Sequence, residues 1–292
     1  MPELPEVETV RIGLAKKIIG SKIKDLKILT PKSFQGDAKL VIGAKIIKVW
    51  RRAKLLGIEL SAVNNDQHTL LFHLKMSGQI ILSEGQNRLI GGHPTKDMFS
   101  DLPNQSTRVI FELDNYTLYF NDQRKFGWIK ALNPKSLILS GLLKKLGPEP
   151  LAKDFSWQVL KSNLSKHKSL PIKVALLDQT IISGLGNIYA CEACFLAKIN
   201  PLAKTQDLTD SQFKKLHQAI IDSLNLAIKK GGSTLRHFTN QDGQKGTYLD
   251  YAYVYGRLEL PCKICQTKIA KIKLAGRGTY FCPNCQRKSF RV

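Results

Sequence analysis

The stretch LGPEPL, residues 146–151, separates two kinds of pattern in this chain. Two prolines and a glycine in six residues disfavour both a continuing helix and a paired strand, so the segment reads as a connector. Before it, KIIKVWRRAKLLGIEL (45–60), TLLFHLKMSGQIIL (69–82) and TRVIFELDNYTLYF (107–120) are rich in β-branched and aromatic residues with partial alternation. Such runs predict strands. Asp114 and Asn115 tolerate left-handed backbone angles and mark a tight turn inside the last run. Residues 83–106 lack periodicity and read as a long loop or small insertion.

Beyond the connector the period changes. DFSWQVLKSNLSK, SLPIKVALLDQT and GNIYACEACFLAKI read as helices, and two of them flank the glycine turn SGLGN (183–187). The clearest helix lies in residues 207–232. Thr209 caps it, Phe213, Leu216, Ile220, Leu224 and Ile228 form one stripe, and Gly231 stops it. Residues 231–250 are polar and glycine-rich, hence a loop. The expected fold class is α+β, with a β-rich domain over 1–133, a linker over 134–150, a helical domain over 151–257 and a terminal module over 258–292.

The amino end, MPELPEVETV, predicts a helix that starts at once. Pro5 suits the first helical turn, Glu6 and Glu8 complement its positive end, and Val7, Val10, Leu14 and Ile18 share one face. Gly20 is placed to end it. Pro2 and Glu3 are thereby held beside a helix N-terminus. Read alone, they could be no more than a helix leader.

The chain has 292 residues, enough for two domains, and 43% hydrophobic with 23% charged residues describes a folded protein. Its 45 Lys and Arg exceed its 23 Asp and Glu by 22. An excess of that size points to an anionic partner, with nucleic acid ahead of a membrane surface. No apolar run is long enough to span a bilayer, and three glutamates occupy the place of a cationic leader, so a cytoplasmic protein is expected. Thiols stay reduced in that compartment, so the six cysteines favour metal ligation or burial over disulfides.

Four of them make the strongest local signal. Cys262-x2-Cys265 and Cys282-x2-Cys285 have the spacing of a four-thiolate structural zinc site, which leaves no open position for catalysis. The intervening KIAKIKLAGRGTYF alternates like a hairpin with Gly276 and Gly278 at its tip, and Arg277 between them can approach a phosphate. Residues 262–291 hold eight Lys or Arg and no acid. Cys191 and Cys194, at i and i+3 of a helix, lack further partners nearby and read as small apolar packing.

PELPEVETV, RRAKLL (51–56), HLKMSG (73–78), DQRKFG (122–127), SGLGNIYACEA, VYGR (254–257) and the cysteine finger occur in this order along the whole chain. Together they resemble the formamidopyrimidine-DNA glycosylase family of bifunctional base-excision repair enzymes. The resemblance implies a sandwich-like β domain, a helix-two-turn-helix domain and one zinc ion. It implies that Pro2, exposed by removal of Met1, attacks sugar C1′, and that Glu3 serves as general acid or base at the sugar ring and leaving base. A secondary amine gives an iminium ion with no removable N–H, which acidifies C2′–H and opens the way to β,δ-elimination. Lys54 matches a lysine tied to lesion recognition and elimination, and Arg277 the finger arginine of the later elimination.

Met76, Arg124 and Phe126 match the three side chains that fill the gap left by an everted nucleotide. Asn187 matches a phosphate-binding asparagine, His73 and Tyr255 match backbone contacts, and Lys168 sits near a lysine linked to the damaged base. Gln123 and Lys125 depart from the usual pattern, which implies weaker phosphate contact there. Residues 231–250 resemble a lesion-covering loop. The implied protein is a monomer on damaged double-stranded DNA that removes oxidised purines. Two other readings remain open at this point: an oxidised-pyrimidine glycosylase of the endonuclease VIII type, and a non-catalytic zinc-finger DNA-binding protein.

Overall fold

The computed structural model describes residues 1–61, 67–93, 95–139, 141–232 and 248–287. The chain divides into two compact units at Lys144 and Lys145, one residue ahead of LGPEPL, and the segment that begins at Gly231 groups with the first unit. The first unit opens with α1 (Leu4–Ile18) and continues through ten strands: β1 Ile23–Ile28, β2 Phe34–Gln35, β3 Lys45–Arg52, β4 Leu55–Ser61, β5 Gln67–His73, β6 Gly78–Glu84, β7 Asn87–Gly92, β8 Thr107–Leu113, β9 Thr117–Asp122 and β10 Trp128–Leu132. A short α2 (Pro134–Leu139) follows. The strands form two five-stranded sheets, in the orders β1-β8-β9-β6-β7 and β2-β10-β5-β4-β3. Their inner faces and α1 share one core, to which Phe72, Phe111, Phe120 and Ile129 contribute. This is the expected β-sandwich.

Helix α1 packs on β3 and β7, one edge strand from each sheet, and so covers the open side of the sandwich. Val7, Val10, Leu14 and Ile18 are all buried, as their spacing predicts. Its closest approach to β7 depends on two glycines. A β-carbon at Gly91 would collide with Val10, and one at Gly13 would collide with Leu89.

Two sequence expectations are corrected here. Residues 83–106 are not one loop: β6 runs through Glu84, and β7 pairs with it in register from Gln79↔Gly92 to Glu84↔Asn87. Gly91, which breaks the alternation there, is the residue that admits the helix. The run 45–60 is not one strand either. Ala53 takes a left-handed conformation (φ 54°) and folds it into the β3–β4 hairpin, which puts Lys54 at a buried turn rather than on a solvated strand.

The second unit holds α3 (Trp157–Leu164), α4 (Ile172–Ala175), α5 (Asn187–Leu196), α6 (Asp210–Lys229), α7 (Tyr248–Tyr251) and a two-stranded finger of β11 (Ala270–Leu274) and β12 (Arg277–Phe281). Thr209 caps α6 as expected, its hydroxyl accepting the Gln212 N–H while the Gln212 side chain returns to the Thr209 N–H. The finger turn is Ala275–Gly276, both at positive φ, the geometry that suits a two-residue hairpin. Gly278 therefore lies in β12, paired with Lys273, and not at the tip. Most of the expected lesion-covering loop, residues 233–247, lies outside the described residues.

Candidate active site and nucleic-acid interface

Glu3 is the N-cap of α1, and both it and Pro2 are buried. Its carbonyl accepts the Val7 N–H at 3.2 Å, while its own N–H donates to Glu6 Oε2 at 2.7 Å. The start of the chain is thus fixed by helix hydrogen bonding, with the Pro2 nitrogen at the positive end of the helix dipole.

A second group ties this helix to the β3–β4 turn. Glu8 accepts from Arg11 Nε at 2.9 Å and from Arg51 Nε at 2.9 Å, and Arg51 also donates to the Ala53 carbonyl at 3.0 Å. Burial works to raise the Glu8 carboxyl, and the two guanidinium hydrogen bonds outweigh it, so the net shift is downward. Arg51 therefore links α1 to the residue preceding Lys54. Sequence reasoning misses Glu8 and Arg51 in this role because their partnership spans 43 residues.

His73 closes β5 opposite Leu55 and Trp128. Its Nδ1 accepts the Lys75 N–H at 3.0 Å, so the neutral ring carries its proton on Nε2. Burial first, then the charges of Lys75 and Lys54, hold its pKa down to about 3. The ring is a neutral donor at physiological pH.

Met76 sits half-buried in the turn from His73 to Gly78, while Arg124 and Phe126 are exposed in the turn after β9. The Arg124 guanidinium lies 4.9 Å from the centre of the Phe126 ring. An exposed Phe126 needs a reason, since solvent-facing aromatic surface forgoes burial.

In the second unit, Asn187 begins α5. Its Oδ1 accepts from Lys173 Nζ at 2.6 Å and its Nδ2 donates to the Gly278 carbonyl at 2.9 Å, beside Arg277. One asparagine thus ties a fully buried lysine and the finger strand to the start of α5, whose backbone N–H groups suit phosphate. Lys173 is the buried lysine of this segment; Lys168 is exposed, and its carbonyl receives the Gln206 N–H at 3.1 Å. Lys173 escapes notice in the sequence because an apolar run such as SLPIKVALL conceals one charged residue. Tyr255 packs its ring 5.0 Å from Tyr280 and gives its N–H to Glu192.

Glu192 is equally hidden in the sequence. Fully buried, it accepts from the amides of Tyr253, Val254 and Tyr255 at 2.8, 2.9 and 2.8 Å. Burial raises its carboxyl despite those bonds.

The four finger cysteines bring their sulfurs within 4.8 Å of one another, with Cys262–Cys285 at 3.9 Å and Cys265–Cys282 at 3.5 Å. A tetrahedral zinc with Zn–S near 2.3 Å sets sulfurs roughly 3.8 Å apart, so the site fits one structural ion. The Ile264 and Cys285 amides point at Cys262 and Cys282 sulfur, each at 3.4 Å, as thiolates require. Cys191 and Cys194 are fully buried. Cys191 packs against the finger core, and burial pushes the Cys194 thiol up, so both behave as apolar residues as expected.

Comparison with known proteins bears on these groups. Residues 1–129 match the formamidopyrimidine-DNA glycosylase N-terminal domain, 146–239 its H2TH domain, and 259–287 the zinc finger found in FPG and IleRS. A formamidopyrimidine-DNA glycosylase of Streptococcus mutans is 40% identical over 99% of this chain and 100% of its own length. One from Pelotomaculum thermopropionicum is 41% identical over 98% and 99%. Among solved structures, a Lactococcus lactis FPG variant with Fapy-dG-containing DNA superposes with a TM-score of 0.83 at 36% identity, covering 98% of this chain and 100% of that one. MutM in complex with carbocyclic 8-oxo-G-containing DNA gives 0.81 at 36%, with the same coverage.

Proposed function

The chain belongs to the formamidopyrimidine-DNA glycosylase family, and from that membership we propose how its own residues carry the DNA glycosylase and AP lyase chemistry on oxidised purines. The observation that carries the reading is Pro2 at the head of a capped helix, next to a buried Glu3. Removal of Met1 turns the Pro2 nitrogen from an amide into a secondary amine. The helix N-terminus disfavours its ammonium form, which leaves free amine at neutral pH. The nitrogen lone pair forms a bond to C1′ as the glycosidic bond breaks, and the base departs with the electron pair of the glycosidic bond. Glu3 is the general acid and base that moves protons at the sugar ring and leaving base.

The ammonium so formed loses its proton, and the nitrogen lone pair then opens the sugar ring: C1′–O4′ breaks, O4′ takes a proton from Glu3, and the resulting C1′ iminium withdraws electrons from C2′–H. Loss of that proton expels the 3′ oxygen, and a second elimination expels the 5′ oxygen. Lys54, held by the Ala53 turn, supplies positive charge and moves protons in these steps, and Arg277 on the finger binds phosphate and supplies positive charge for the later elimination. His73, Asn187 and Tyr255 grip the backbone, buried Lys173 holds the Asn187 side chain in place, and Lys168 is exposed for a lesion or phosphate contact. Met76, Arg124 and Phe126 fill the vacated stack, which gives exposed Phe126 its reason. The zinc ion holds the finger that presents Arg277. The enzyme acts as a monomer on damaged duplex DNA in the cytoplasm. Among the described residues, no helix is long and apolar enough to cross a membrane.

Borohydride trapping on an 8-oxoguanine duplex tests this. The mature chain should form a covalent DNA adduct. Pro2→Gly should retain part of it through its primary amine, and a chain extended at the amino end should lose nearly all. Failure of the mature chain to trap or cleave would leave only a DNA-binding module. Faster excision of thymine glycol than of 8-oxoguanine would favour the pyrimidine-lesion enzyme.

A further inference from the structure

The side chains assigned to the wedge come from two separate turns, and one carboxylate joins them. Gly78 pairs with Asp122 across β6 and β9, so the turn carrying Met76 and the turn carrying Arg124 and Phe126 leave the same end of the same strand pair. Asp122 is fully buried between them. Its Oδ1 accepts the Ser77 hydroxyl and the Arg124 N–H, the latter at 3.2 Å, while Ser77 Oγ takes the same Arg124 N–H at 3.0 Å. Its Oδ2 accepts the Gly127 N–H at 2.6 Å.

The backbone of Asp122 is fixed as well. Its N–H donates to the Ser106 carbonyl at 2.8 Å, and its carbonyl accepts from Arg108 Nε at 2.8 Å. Both turns contain a lysine at positive φ, Lys75 at 49° and Lys125 at 56°, each directly before a wedge residue. A non-glycine residue in that region is strained and persists only where its surroundings fix it.

We propose that Asp122, with Ser77 as its bridge, is the positioning residue of the wedge: it locks the Met76 turn to the Arg124–Phe126 turn so that all three side chains enter the stack together. The proposal rests on the wedge reading of Met76, Arg124 and Phe126. Asp122, fully buried, acts through the two turns it bridges. Its effect is to keep the wedge preorganised, so that ordering the two turns does not draw on the energy needed to extrude the nucleotide. Without the carboxylate, the Ser77 hydroxyl and the Gly127 N–H lose their acceptor at a buried site, the Arg124 N–H keeps only Ser77 Oγ, and the turns move independently.

The test compares kcat/KM for Asp122→Ala, Asp122→Asn, Ser77→Ala and Phe126→Ala on two substrates. One is 8-oxoguanine paired with cytosine; the other is a preformed AP site, which has no damaged base to extrude. Phe126→Ala reports the wedge itself. Asp122→Ala should follow it, falling about 10- to 100-fold on the paired lesion and at least about tenfold less on the AP site. Asp122→Asn keeps an acceptor and should recover part of the loss, and Ser77→Ala should show the same split at smaller size. If Phe126→Ala shows the split and Asp122→Ala loses equally on both substrates, or loses nothing, Asp122 does not position the wedge. If Phe126→Ala shows no split, the wedge reading fails and the proposal goes with it. Should Asp122→Ala not fold, Ser77→Ala decides the matter by the same criterion.

Discussion

At the scale of single residues, the site is built from side chains whose states the fold decides. His73 is the clearest case. Its ordinary pKa is near 6.5 and its folded value is about 3, so between those values the unfolded chain binds a proton that the folded chain does not. Stability therefore falls as pH drops from 6.5 toward 3, by at most about 1.4 kcal/mol per pH unit from this group, and is indifferent to His73 above 6.5. Urea unfolding at pH 7 and pH 5 should show a smaller loss for His73→Gln than for the parent chain, and the His73 ring protons should not titrate between pH 5 and 8. A titration near 6.5 would contradict the burial described. None of this is legible in HLKMSG, where the residue type is visible but the Lys75 amide and the Trp128 ring beside it are not. The same holds for the left-handed residues Ala53, Lys75 and Lys125, each preceding a residue of the proposed site. Nothing in their side chains announces a positive φ, because tertiary packing imposes it.

At the scale of elements, periodicity is a good guide wherever one face is buried, and a poor one where backbones meet. The stripe on α1 and the capping box of α6 follow directly from residue spacing. Strand β7 does not, since Gly91 and Gly92 erase its alternation. Gly91 has a measurable function: α1 carries Pro2 and Glu3, and Gly91 faces Val10 from that helix. Gly91→Ala should displace α1 from β7 or force Val10 off its rotamer, with a cost of about 1–3 kcal/mol. Thermal unfolding would show it as a lowered Tm. Excision should fall with it, because misplacing a nucleophile by about 1 Å can cost on the order of 100-fold in rate. Val10→Ala in the same chain should restore part of both, since it removes the atom that Gly91→Ala strikes. If the double variant is no better than the single one, the helix–strand approach is not what Gly91 protects.

At the scale of the whole molecule, the excess of 22 positive charges and the paired cysteines are the features a sequence can reveal without any neighbours in space. Charge, however, does not say which lysines reach phosphate. The fold sorts them by exposure: Lys173 is fully buried on Asn187, Lys54 is buried at a turn, Arg124 is exposed in a turn and Arg277 at the start of β12, while His73 is neutral. Each cation that neutralises a phosphate releases counterions and steepens log K against log salt by about 0.9, so Lys54 and Arg277 alone predict a slope of about −1.8 or steeper on duplex DNA. Arg277→Ala should make the slope shallower by roughly one unit. His73→Gln should weaken binding while leaving the slope where it was, because a neutral imidazole donates a hydrogen bond and displaces no counterion. Anisotropy titrations of an AP-site duplex across a range of KCl concentrations separate these outcomes. A parent slope shallower than about −1 would mean that the positive charge does not grip the backbone. An unchanged slope for Arg277→Ala would take the finger arginine off the phosphate and leave the neutral groups Asn187 and Tyr255 as the second unit's proposed hold on DNA.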